Sequence, residues 1–166
     1  MKKELFFEFE VNKATNTIEI TREFNAEKSL VWQAWTQAEI LDQWWAPKPF
    51  YTETKSLELK VGGRWLYAMV SPQGDKHWCK ADYKKVEKEE VLSWLDAFCD
   101  ENGNENQIKP RSLWNNVFKE KDGLTTVSIT LKHDKLEDIE AMISMGFKEG
   151  LSMALGNLDE LLLVLK

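Results

Sequence analysis

Asp96 is the acidic side chain that the sequence directs most clearly toward an apolar interior. The segments 76–86 and 91–99 have strand character, and a turn at Glu87–Glu90 would join them as an antiparallel hairpin. Such a hairpin places three residue pairs on one face: Tyr83 with Trp94, Ala81 with Asp96, and Cys79 with Phe98. A carboxyl among these neighbours would lose hydration, which raises its pKa and suits it to acid–base chemistry.

Two other interpretations of Asp96 stay open. A register shift of one residue would send its carboxylate to solvent. Alternatively, Asp96 accepts a hydrogen bond from Tyr83 or Trp94 and serves only the fold. His77 shares this face by parity, but it lies near the start of its strand, where a histidine is more often exposed. The sequence has no nucleophile elbow, Ser-His-Asp spacing, phosphate loop or paired-carboxylate motif, so Asp96 is only a weak candidate for catalysis.

The thiol and imidazole groups do not predict a metal site. The chain has two cysteines, Cys79 and Cys99, and two histidines, His77 and His133. The cysteines form no CxxC pattern and the histidines are far apart, whereas zinc sites need gathered ligands. We therefore expect no metal, no cofactor and two reduced thiols, as in a cytoplasmic protein.

Length, charge and hydropathy limit the class of protein. The 166 residues suit a single domain spanning 1–166, and a hydrophobic fraction of 43% excludes disorder. With 22 basic and 28 acidic residues the net charge is −6, and the lysines near 76–88 alternate with acids, so nucleic-acid binding is not expected. The run LLLVL is too short to span a membrane, and acids interrupt the N-terminal segment, which makes a poor secretion signal.

The aromatic content is unusual. Eight tryptophans and eight phenylalanines accompany only three tyrosines. Tryptophan is large and stiff, so eight of them need either a heavily aromatic core or the wall of a cavity. Composition alone leaves both interpretations open.

Hydrophobic periodicity defines the elements that must position these residues. Alternation predicts a hairpin from 5–11 and 17–24, the first of these being an extra N-terminal strand within residues 1–15. Two short helices follow a cap expected at Asn25, with apolar residues at helical spacing over 30–35 and 40–45, and Pro47 and Pro49 end the second. Strand signals then continue from Thr52 to Lys132, with a tight Asp122-Gly123 turn and a polar loop at 100–111.

Apolar residues at steps of three and four predict one long amphipathic helix over 136–165. Three glycines, Gly146, Gly150 and Gly156, interrupt it, each at a cost of about 1 kcal/mol relative to alanine. They either let the helix approach the sheet closely or permit a bend near Gly146 that leaves volume unfilled. We favour the bend. The predicted fold is α+β, with a curved antiparallel sheet of six to seven strands wrapped around this helix.

Four segments in this order resemble a known family. They are EFNAEKSLVWQAWTQAEILDQWWAPKPF, KVGGRWLYAMVSPQGD, DGLTTVSITL and MGFKEGLSMALGNLDELL. The WW-x-P segment, the GG before a strand and the GxxxG of the last helix resemble the family named for activators of the ninety-kilodalton heat-shock protein's ATPase. The resemblance covers about residues 16–165 and is closest to the bacterial stand-alone relatives of that activator's C-terminal domain.

The resemblance implies a helix-grip fold of the START-like (SRPBCC, birch-pollen-allergen) superfamily, with an apolar cavity between sheet and helix. Strand parity and helix position then suggest which side chains line that cavity. The expected lining residues are Trp44, Trp45, Phe50, Trp65, Tyr67, Met69, Cys79, Tyr83, Trp94, Asp96, Phe98, Met142, Met145, Phe147 and Gly150.

The leading hypothesis for function is the binding of a small hydrophobic or aromatic ligand in a cytoplasmic protein. One alternative is a co-chaperone-like module acting on a heat-shock ATPase. Another is a cyclase- or hydrolase-type enzyme that uses Asp96. We expect neither nucleic acid nor membrane as a partner, and the sequence leaves a homodimer open.

Overall fold

Within residues 5–106 and 111–165, which the computed structural model describes, eight strands form one antiparallel sheet. The strands are β1 (Phe7–Asn12), β2 (Thr17–Phe24), β3 (Tyr51–Leu57), β4 (Arg64–Val70), β5 (Lys76–Glu87), β6 (Val91–Phe98), β7 (Ser112–Lys121) and β8 (Leu124–Lys132). The helices are α1 (Lys28–Thr36), α2 (Ala38–Trp44), α3 (Leu136–Ser144) and α4 (Phe147–Leu165).

The strand order is β1-β2-β8-β7-β6-β5-β4-β3, so β2 pairs with β8 and joins the two ends of the fold. The prediction of six to seven strands was wrong, because β1 and β3 both form complete edge strands. β1 pairs along its whole length with β2, although most of its side chains are exposed and give little burial pattern. In the described part of the chain, no helix has both the length and the hydrophobicity needed to cross a bilayer.

Two hairpins fix the register of the sheet near its centre. Asp122 and Gly123 have φ angles of 54° and 79°, which confirms the predicted tight turn between β7 and β8. The predicted pairing of Asp96 with Ala81 is also confirmed. The β5–β6 turn closes one residue later than predicted, with Glu87 opposite Val91, and a bulge at Lys84 absorbs the extra residue.

The loop after β6 folds back along the sheet. Asp100 accepts hydrogen bonds from the backbone of Asn102 and Asn104, and Cys99 pairs with Glu105 as an isolated bridge. This loop was predicted over 100–111, of which residues 107–110 lie outside the described residues.

α1, α2 and α4 pack on the concave face of the sheet. Trp35 and Trp44 are fully buried between α1 and α2 and pack edge to face, with ring centroids 5.1 Å apart. Ala154, Leu155 and Leu158 present the apolar stripe of α4 to the same core. One end of the concave face is therefore densely filled.

The bend predicted near Gly146 is a complete break, so the segment predicted as one helix over 136–165 forms two helices, α3 and α4. This residue has a φ of 87°, a left-handed conformation that favours glycine, and its N–H donates to the Ile143 carbonyl to close the end of α3. The helical bonds resume at Gly150, whose N–H donates to the Gly146 carbonyl. The break turns the chain just where it passes over the sheet beside Asp96.

Candidate functional site

A cavity of about 350 Å³ lies between the concave face of the sheet and the junction of α3 with α4. Its size falls at the lower end of the range of small-molecule sites, roughly 300–1,000 Å³. The lining residues come from the α2–β3 connection, β4 to β7, and the broken helix. They are Trp45, Pro47, Tyr67, Met69, Cys79, Asp96, Phe98, Trp114, Met142, Met145, Gly146, Phe147, Gly150 and Leu151.

β7 holds the Asp96 carboxylate in place. Ser112 lies opposite Asp96 in the β6–β7 register, and its backbone N–H donates to Oδ1 at 3.0 Å. The indole N–H of Trp114, two residues along the same strand, donates to Oδ2 at 2.7 Å. Each oxygen thus has one protein donor. The prediction that Tyr83 or Trp94 donates to Asp96 was wrong, because the donors are Ser112 and Trp114.

Burial raises the pKa of the Asp96 carboxyl to about 7, against the smaller lowering effect of the Trp114 and Ser112 hydrogen bonds. Asp96 is half-buried, and its remaining surface faces the cavity that it lines. No ion pair to Asp96 occurs among the described residues. Near neutral pH this carboxyl is therefore divided between its charged and neutral forms.

Tyr67 and Cys79 add two further polar groups to the cavity wall. The Tyr67 hydroxyl accepts a hydrogen bond from the indole N–H of Trp45 at 3.1 Å, and a side-chain hydrogen bond joins it to Cys79. Burial, followed by the nearby Cys79 and Asp96, raises the pKa of Tyr67 well above its usual value. Tyr67 is consequently a neutral hydroxyl at any physiological pH.

The rest of the wall is aromatic and aliphatic. The rings of Trp45 and Trp114 lie 5.7 Å apart, and Phe147 packs edge to face on Trp114 at 6.1 Å. Met142 is buried, whereas Met145 is 56% exposed at the rim. Methionine side chains adapt to irregular shapes, so this edge of the cavity can adjust to an occupant.

Most of the side chains expected to line a pocket lie on this cavity wall. Those that do are Trp45, Tyr67, Met69, Cys79, Asp96, Phe98, Met142, Met145, Phe147 and Gly150. Five of the expected residues do not line it: Trp44, Phe50, Trp65, Tyr83 and Trp94.

The five residues away from the cavity have identifiable positions. Trp44, Tyr83 and Trp94 are buried in the filled part of the core, where α1 and α2 cover the sheet. Trp65 is stacked on Tyr67 at 3.9 Å and is also buried. Phe50 lies half-buried, 6.2 Å from the exposed His77 ring. Parity gives the face of a strand residue, but it does not say which part of that face the helices cover.

Four lining residues escaped prediction: Pro47, Trp114, Gly146 and Leu151. Trp114 is the most important, because it holds Asp96. Alternation along β7 could have placed it inward, but the loop between β6 and β7 leaves their relative register undefined in the sequence. Gly146 was identified as the bend but not as part of the wall.

Ser112, the residue opposite Asp96 on β7, makes a second buried polar contact through its side chain. The Ser112 hydroxyl and His133 Nε2 are 2.7 Å apart, and His133 is only 2% exposed. Burial lowers the pKa of His133, against the raising effect of Asp138 and Asp134. Among the described residues, no group of three or more His, Cys, Asp or Glu side chains gathers to hold a metal ion.

An antiparallel sheet gripping a C-terminal helix, with a cavity between them, defines a helix-grip protein. Residues 25–163 match the model of the family described as activator of Hsp90 ATPase homolog 1-like protein. The chain belongs to this family. Among curated proteins, none matches the chain significantly.

Solved structures of bacterial proteins share this fold. Protein Ms6760 from Mycobacterium smegmatis is 30% identical, with 96% of this chain and 97% of that chain covered and a TM-score of 0.86. A protein from Staphylococcus epidermidis is 28% identical, with 92% of each chain covered and a TM-score of 0.81. A protein from Arthrobacter aurescens is 24% identical over 93% of this chain and 90% of its own, with a TM-score of 0.88, and this similarity concerns the fold alone.

Proposed function

We propose that this protein binds a small, mainly apolar ligand in the cavity between the sheet and the α3–α4 junction. The observation that carries the proposal is an aromatic-walled space of about 350 Å³ with only a few polar groups directed into it. Ligand sites commonly combine an apolar lining with a small number of polar groups that fix orientation. The break at Gly146 supports it, because Gly146 itself lines the cavity where α3 and α4 meet.

Tryptophan fluorescence tests the proposal directly, because Trp45 and Trp114 lie in the cavity wall. The ligand used is 4-phenyl-1-butanol, whose phenyl ring does not absorb where tryptophan is excited. We expect saturable quenching or a spectral shift together with a raised melting temperature, because a ligand that binds only the folded state stabilises it.

Gly150→Leu provides a matched test of location. A Cβ at Gly150 would contact only Pro47, at 3.8 Å, so the rest of a leucine side chain would extend into the cavity. Gly156→Leu in the same helix is the control, since a Cβ there meets no atom within 4 Å and Gly156 does not line the cavity. We expect at least tenfold weaker binding for Gly150→Leu and unchanged binding for Gly156→Leu. Equal affinities for both variants, or no saturable response in the parent, would contradict the proposal.

A second candidate is a co-chaperone-like role, which only the description of the family favours. It predicts retention of a heat-shock ATPase on the immobilised protein and stimulation of its ATP hydrolysis. Gly150→Leu should leave both effects intact if the interaction uses the outer surface. The enzymatic hypothesis built on Asp96 stays a prediction, tested by whether Asp96→Asn abolishes a measured turnover.

A further inference from the structure

Asp96 has acceptor capacity that the protein leaves unused. An ionised carboxylate offers about four lone-pair sites. Two of these take the N–H groups of Ser112 and Trp114, both of which belong to β7. Asp96 is part of the cavity lining, and among the described residues no further protein donor reaches its carboxylate.

No positive charge within the described residues compensates this carboxylate. The buried lysine of β5, Lys80, pairs instead with Asp82 and Glu105. The buried Arg22 pairs with Asp159 at the far end of the sheet. A charge taken from water without a partner is costly, whereas a buried carboxylate paired with a hydrogen-bonding cation is far better tolerated.

The neighbouring rings also favour a cation. Trp45 and Trp114 line the cavity and lie 5.7 Å apart, with Phe147 packed beside Trp114. The faces of aromatic rings carry negative electrostatic potential and attract ammonium groups, tryptophan most strongly. A protonated nitrogen bonded to Asp96 would thus meet a second favourable surface, and the apolar part of the same molecule would contact the methionines and Phe98.

From these contacts we propose that the ligand carries a single cationic nitrogen on an apolar body, and that this nitrogen donates to Asp96. This inference rests on the proposed function and narrows it to hydrophobic amines. The titratable groups that line the cavity with Asp96 are Tyr67 on β4 and Cys79 on β5. His133, after β8, hydrogen-bonds the hydroxyl of Ser112, the residue whose backbone N–H donates to Asp96. On α3 and α4, Glu140, Lys148 and Glu149 are exposed, and the half-buried Asp138 acts on His133.

Three compounds of similar shape distinguish a cation from other head groups: 4-phenylbutylamine, 4-phenyl-1-butanol and 4-phenylbutyrate. At pH 8 we expect the amine to bind about tenfold more tightly than the alcohol, as charged hydrogen bonds exceed neutral ones. The amine stays protonated throughout, so its affinity should fall about tenfold between pH 8.5 and 5.5 as Asp96 takes up a proton. Alcohol binding should change little over this range.

Asp96→Asn keeps the shape of the side chain and removes its charge. We expect the amine to lose its advantage and the alcohol to keep its affinity within about threefold. A second measurement needs only the parent protein: the carboxyl carbon resonance of Asp96, followed by NMR through a pH titration. Saturation with the amine should lower the apparent pKa of Asp96, because the two equilibria are linked and reciprocal.

The outcomes separate the inference from the proposed function. Equal binding of amine and alcohol, without pH dependence, would overturn the cationic head group and leave apolar binding intact. Binding of 4-phenylbutyrate as tight as that of the amine at pH 8, where Asp96 is ionised, would also overturn it. Failure of all three compounds to bind at any pH would instead refute the proposed function.

Discussion

The two halves of the concave face contain the same aromatic residue types, but one half is filled and the other encloses a cavity. Where α1 and α2 cover the sheet, Trp35 touches Trp44, Trp45 and Phe118, with ring centroids 5.1, 5.8 and 5.9 Å away. Where the broken helix covers it, Trp114 packs on protein at one side and borders the cavity at the other. Tryptophan content therefore identifies an aromatic interior, and the covering helix decides whether that interior is filled.

The indole N–H groups make the same distinction. In the filled half, the Trp44 indole donates to the Ala34 backbone carbonyl at 2.9 Å, a bond that no titration can change. In the cavity half, Trp45 donates to the Tyr67 hydroxyl and Trp114 to the Asp96 carboxylate. The polar side chains that accept these two bonds, Tyr67 and Asp96, both line the cavity.

Trp35→Ala should produce the largest loss of stability. Trp35 is 1% exposed and packs on the three rings named above and on Trp94, so we expect its removal to cost about 3–5 kcal/mol. Phe147→Ala is the comparison from the cavity half, where the half-buried ring borders empty space and its loss should cost about 1–2 kcal/mol. Urea unfolding at pH 7 measures both. Equal losses would mean that the two halves are packed alike.

The sequence predicted the elements better than it predicted the site. Alternation and turn residues gave the β7–β8 hairpin at Asp122-Gly123 and the pairing around Asp96, because both depend on short-range chemistry. The filled half of the core depends on where α1 and α2 lie over the sheet, which is a long-range property. For that reason Trp44 and Trp94 were expected in the cavity wall and are found in the core.

Trp114 is the opposite case, a residue that lines the cavity but could not be predicted to do so. Its contact with Asp96 requires the β6–β7 register, which depends on the path of a long polar loop. No local pattern specifies the number of residues that such a loop consumes. The bend at Gly146 was accessible from sequence, because glycines inside an amphipathic helix carry a cost that calls for a structural reason.

The second prediction concerns stability against pH. The folded protein keeps the Asp96 proton up to about pH 7, whereas an unfolded chain releases it near the ordinary value of 3.8. Between these values the folded state binds more protons, so this group's contribution to the free energy of unfolding falls as pH rises. We expect the stability of the parent relative to Asp96→Asn to fall on the order of 2–4 kcal/mol between pH 4 and 8.

Comparing the parent with Asp96→Asn at each pH separates the contribution of Asp96 to stability from that of His133. The lowered pKa of His133 acts in the opposite sense, since stability is lost as pH falls below its ordinary value of 6.5. That contribution is present in both proteins and cancels in the difference. A difference that stays constant from pH 4 to 8 in urea unfolding would show that Asp96 is not held in a desolvated site.

The smallest expected effects come from two glycines, one in the cavity wall and one inside α4 away from it. Gly146→Ala forces a Cβ into a backbone with a φ of 87°, which should cost about 1–2 kcal/mol and strain the wall of the cavity. Gly156→Ala lies inside α4, where a new Cβ meets no atom within 4 Å, and should stabilise the protein by up to about 1 kcal/mol through helix propensity alone. Unfolding in urea gives both signs, and binding of 4-phenyl-1-butanol should weaken only for Gly146→Ala. If both alanine variants are more stable and still bind the ligand, the cavity does not depend on the break at Gly146. The curvature of the sheet would then have to account for the cavity.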